Sequence, residues 1–164
     1  MKYIPLIFIL ISSCATAKMV SNAKEVELYK KQLDETQRII TETNETLRVS
    51  NAVYKMYERL GYITPEVATV SRHFMSLQED AKNLYGENLV LTPTPFNSCA
   101  TVPMAAYSVW MAKVSSVKTN KTDSIKPLGD AYVKQATECL NAINNPPPAE
   151  VEESEDLEII DVSP

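Results

Sequence analysis

A stripe of apolar residues at three- and four-residue spacing, from Val26 to Tyr57, constrains this chain more than any other feature. Val26, Tyr29, Leu33, Ile40, Leu47, Tyr54 and Tyr57 share one face of a helix with about 3.6 residues per turn, and Ile39 and Val53 widen that face. Thr36, Thr43 and Ser50 fill the remaining seam positions. A self-associating coiled coil wants those positions apolar. The stripe is therefore expected to pack against the rest of the same chain. One long helix should run to about Leu60 and stop at Gly61.

The same reasoning carries through the chain. Thr64-Pro65-Glu66 reads as an N-cap, a proline at the first helical position and an acid in the first turn. Val67, Val70, Phe74, Leu77, Ala81 and Leu84 then line a second helix, with Gly86 just past its end. The short turn makes the first two helices an antiparallel hairpin. Residues 87–98 hold two prolines and a Leu-Val-Leu-Thr run, the composition of an extended crossover. Ser98 or Thr101 can cap a third helix, which must begin near Pro103 because proline is tolerated only in a first turn. Val102, Ala106, Val109, Trp110, Lys113, Val114 and Val117 mark its face. After the polar turn 119–123, Ile125, Leu128, Tyr132, Ala136, Cys139 and Ile143 line a fourth helix, ended by Asn144-Asn145-Pro146. The fold class is all-α: about four helices in two antiparallel hairpins.

The first residues give an address. Lys2 precedes the apolar run Ile4 to Ile11, which is broken by Pro5 and is too short to span a bilayer. A cation, a short apolar run and small residues are the pattern of a secretory signal. Ile11-Ser12-Ser13-Cys14 resembles the lipobox of bacterial lipoproteins. That resemblance implies cleavage before Cys14, acylation of Cys14 and, with Ala15 next, export to the outer membrane facing the periplasm. The competing site, Ala15-Thr16-Ala17, would release a soluble product beginning at Lys18.

With lipid on Cys14, Cys99 and Cys139 remain. The periplasm is oxidising, so the two are expected to pair. The hairpin of helices three and four also brings their outer ends together, as a disulfide requires. The alternative is a pair of buried free thiols.

Charge is unevenly spread. Seven acids (Glu150, Glu152, Glu153, Glu155, Asp156, Glu158 and Asp161) follow Pro146-Pro147-Pro148, with no lysine or arginine among them. The body is near neutrality and has no basic stripe, which argues against a nucleic-acid partner. The domains read as a signal segment 1–13, a tether 14–23, a helical periplasmic domain 24–145 and a Pro-rich, acidic, disordered tail 146–164. Leu157, Ile159 and Ile160 sit among the tail acids and could dock on a basic, grooved partner, the alternative being a solvated tail. Tyr107 and Trp110 could form a second binding face, though aromatics at helical spacing are commonly core.

No reaction is legible. The only histidine is His73, and Glu79-Asp80 diverge around a helix instead of converging as an acid–base pair. Three glycines make no phosphate-cradling loop, and a zinc site would need more His and Cys ligands than remain. Neither catalytic residues, nor a metal, nor a cofactor are expected. The reading is a membrane-tethered periplasmic lipoprotein, a non-enzymatic binding or assembly module of secretion or conjugation type with an envelope protein partner. The runner-up is an immunity or exclusion lipoprotein that blocks an incoming toxin, phage or plasmid.

Overall fold

A computed structural model describes residues 19–87 and 94–152. Cys14, the signal segment, part of the crossover (88–93), and Leu157, Ile159 and Ile160 lie outside the described residues. Four long helices carry the fold: α1 (Ala23–Leu60), α2 (Pro65–Tyr85), α4 (Val102–Thr119) and α5 (Ile125–Asn144). A single helical turn, α3 (Asn97–Ala100), precedes α4, and two short strands, β1 (Met19–Ser21) and β2 (Glu150–Glu152), flank the bundle. α1 and α2 form one antiparallel hairpin, α4 and α5 the other, and α4 packs on both α1 and α2. Among the described residues no helix is long and apolar enough to cross a membrane.

The punctuation residues act as their chemistry requires. Gly61 ends α1 with φ at 74°, a left-handed conformation that favours glycine. Asn120 does the same for α4 at φ 53°. Pro103 lies in the first turn of α4, and Thr64 precedes Pro65 in extended conformation. Thr64 does not cap with its hydroxyl; its carbonyl accepts the Val67 N–H at 3.1 Å.

The deepest line of α1 runs through Tyr29, Thr36, Thr43, Ser50 and Tyr57, all buried. Three of these five are small hydroxyl side chains at the centre of the interface. Thr43 donates to the Ile39 carbonyl at 2.7 Å and Ser50 to the Leu47 carbonyl at 2.7 Å, so neither is orphaned by burial. Thr36 accepts a 2.8 Å hydrogen bond from the Tyr85 hydroxyl. Small side chains along this seam let neighbouring helices approach, which is why the hydroxyls serve intramolecular packing. On α2 the last core position is Tyr85, while Leu84 is only half-buried.

The expected disulfide is present. Cys99 on α3 and Cys139 on α5 are both fully buried, with Cα atoms 4.6 Å apart. The segments expected to be a tether and a solvated tail differ from that expectation at their inner ends. Met19 lies opposite Glu152, Val20 opposite Val151 and Ser21 opposite Glu150 in an antiparallel pair, and Ala23 already belongs to α1. The bundle brings these ends together. The Tyr29 hydroxyl near the start of α1 donates to the Ile143 carbonyl at the end of α5 at 2.5 Å. Asn22 then brackets the pair, its N–H on the Ala149 carbonyl at 2.8 Å and its side-chain amide on the Pro148 carbonyl at 3.1 Å.

Candidate functional site

A groove of about 500 Å³ runs between α2 and α4. Its apolar wall is made by Met75 and Ala81 of α2, Ala100 of α3, and Met104 and Tyr107 of α4. Gln78 is the polar member of the wall, and Glu79, Lys82 and Glu87 supply charge. Three local features build it. Gly86 ends α2 and lets the chain turn away beside the opening. The disulfide pins α3 to α5, which fixes Ala100 as an end wall. Pro103 begins α4, which sets Met104 in the first turn and Tyr107 one turn further along the same face.

Met75 and Met104 are each more than half exposed, at 57% and 53%. An exposed, unbranched thioether adapts its shape to an apolar partner at little strain. Tyr107 is half-buried against Phe74, with ring centroids 6.2 Å apart and planes tilted by 51°. On the charged side, Lys82 and Glu87 pair at 2.8 Å. Their hydrogen bond raises the Lys82 pKa and lowers that of Glu87, so both stay charged at neutral pH.

The two aromatics read as either a binding face or core residues are placed differently. Tyr107 lines the groove, whereas Trp110 is fully buried and its indole N–H donates to the Ser71 hydroxyl at 2.8 Å. Trp110 thus has the placement of a core residue. The methionines were not singled out by periodicity because they fall beside the apolar stripes: Met75 follows the core residue Phe74, and Met104 precedes the buried Ala106 by two. An exposed long thioether flanking a core position is the signal that points to them.

A second cluster is structural in character. Arg38 of α1 bonds Glu35 and, at 2.9 Å, Glu42 on its own helix, and reaches Asp80 of α2 at 2.8 Å. Hydrogen bonding to Arg38 lowers the Glu35 pKa, and the same bonds raise that of Arg38. His73 stands beside this group, its Nε2 3.8 Å from Glu42. Each carboxylate is already held by a cation, so the cluster ties α1 to α2. Among the described residues no group of three or more His, Cys, Asp or Glu side chains could hold a metal ion. A second hollow near the start of α1 contains Gln32 and Thr94, but their polar atoms are satisfied. Thr94 donates to Gln32 Oε1 at 2.5 Å, and Gln32 Nε2 donates to the Leu84 carbonyl at 3.0 Å.

Fold and groove together define a disulfide-braced helical domain of two packed hairpins with a methionine-rimmed surface groove. No protein-family model, curated protein or solved structure matches the chain.

Proposed function

We propose that this chain is a lipid-tethered, non-enzymatic binding or assembly module of a bacterial envelope, anchored through Cys14 in the outer membrane and facing the periplasm. The groove between α2 and α4 carries the reading. It joins two half-exposed methionines and Tyr107 to the small side chains of Ala81 and Ala100, a surface suited to an apolar segment of a protein partner. The charges at its edge, Glu79 beside the Lys82–Glu87 pair, would orient such a segment and give that edge a slight acidic bias.

A photo-crosslinking residue placed at Met75 or Met104 in intact envelopes tests this. The expected result is one protein captured from either groove position and not from Val133, which is 60% exposed on α5. Capture should be lost when Met75→Asp and Met104→Asp are combined with a probe at Tyr107. Capture of the same protein from Val133, or persistence in the double variant, overturns the groove as the binding surface.

A further inference from the structure

We infer that the groove is one half of a wider face centred on α4, and that its occupant is an amphipathic helix of a protein partner laid across that helix. The inference rests on the groove being a protein-binding surface and names the kind of segment it takes. α4 has apolar stripes on two opposite sides. Val102, Ala106, Val109 and Trp110 are buried in the bundle. At about 100° per residue, Met104, Tyr107, Ser108 and Met111 lie at i, i+3, i+4 and i+7 on the other side. Met104 and Met111 are 53% and 41% exposed, and Tyr107 and Ser108 are half-buried. No charged residue occurs in α4 before Lys113, which donates to Asn51 of α1. A helix at a surface normally carries charge on its outer side, and one that is apolar all round is normally covered. α4 is not long and apolar enough to cross a membrane, so a protein surface is the cover that its outer stripe fits.

Met104 is the shared wall of two hollows. On one side lies the groove with α2. On the other, a hollow of about 220 Å³ is lined by Ala105 and Ser108 of α4 and by Leu128 and Ala131 of α5, with no charged residue in its wall. The nearby charges of α5 are paired, Lys126 with Asp130 at 2.6 Å and Lys134 with Glu138 at 3.9 Å. An occupant that spans both hollows is therefore held by apolar contact, with little help from charge. From Met104 to Met111 the face runs about 10 Å along α4. Helix neighbours on both sides, at about 8–10 Å between axes, make it about 20 Å wide. That is on the order of 200 Å², against about 800 Å² per partner in a stable interface. It is too little to hold two copies of this chain together and a match to two turns of one helix. A strand would need a free sheet edge, and a polyproline segment an aromatic-lined groove; this face has no strand and one aromatic ring, and helices frame both hollows.

A photo-crosslinking residue at Met75, Met111 or Ala131 of the full chain, in intact envelopes, tests this. All three positions should capture the same protein. The captured residues, read by mass spectrometry, should fall within one segment at three- or four-residue spacing. Met111→Glu and Ser108→Lys should each cut capture from Ala131 about tenfold, and 1 M salt should change it less than about twofold. Capture from Met75 alone overturns the wider face and leaves the groove reading standing; silence at Met75 as well overturns both. Captured residues at every second position, a crosslink to a second copy of this chain, a lipid adduct or a steep fall with salt each overturn the helical apolar occupant, as does capture undiminished in both variants.

Discussion

Removing the Cys99–Cys139 bond should lower stability by an amount the chain length sets. The bond closes a loop with a sequence separation of 40. Closing such a loop removes unfolded-state entropy worth about 4 kcal/mol at 25 °C. For a domain of this size that corresponds to roughly 15 °C in melting temperature. Structure says where the loss should begin. α3 is a single turn of four residues, held to the bundle by this bond, by Phe96 stacked on Tyr29 at 4.9 Å, and by its backbone bonds. It cannot persist on helix propensity, since nucleating one turn is unfavourable. Cys99→Ala with Cys139→Ala is the appropriate pair, because serine would put an unpartnered hydroxyl where both sites are fully buried. Thermal melts followed by circular dichroism measure the total, and amide exchange across 94–101 locates it. A double variant that melts within about 3 °C of the parent, with exchange in 94–101 unchanged, refutes this reasoning.

Three further outcomes follow from particular contacts. Burial pushes the Tyr85 phenol up to about 12, so its stabilising share is whole below pH 10 and is lost as pH rises from 10 to 12, on the order of 2–3 kcal/mol. Tyr85→Phe should cost about 1 kcal/mol at neutral pH through the lost bond to Thr36, and should lack that alkaline loss, as denaturant melts at pH 7 and 11.5 will show. Arg38→Gln should destabilise by about 1 kcal/mol or less, because all four groups are more than a third exposed, and the difference should shrink at 1 M salt; an undiminished difference contradicts an ionic origin. Deleting residues 146–164 should leave helical circular dichroism and melting temperature within about 2 °C of the parent while amide exchange at Asn22 quickens, since only the β1–β2 pairing and the Asn22 bonds are lost; a collapsed melt places those residues in the core.

The bundle was legible because its signals are local. Gly61, Thr64-Pro65, Gly86 and Pro103 each bound a helix where their backbone chemistry says they should. The cysteine pair was legible because odd count and hairpin topology agreed. The β1–β2 pair was not, because Met19–Ser21 and Glu150–Glu152 are too short to show period-two patterning, and their pairing is decided by where α1 begins and α5 ends. The depth of Thr36, Thr43 and Ser50 was only half legible. Their heptad spacing was visible, but polarity hides burial when the hydroxyl bonds its own helix. The groove was least legible. Met75 and Met104 lie on different helices and become neighbours only through packing, and Trp110, the more conspicuous aromatic, is taken into the core by Ser71.

The proposed tether at Cys14 is tested most directly by mass spectrometry of the N-terminal peptide of the protein isolated from envelopes. The account expects that peptide to begin at Cys14, to carry acyl mass and to be absent when Cys14→Ala is introduced. A mature chain that begins at Lys18, unmodified and recovered from the soluble fraction, contradicts it.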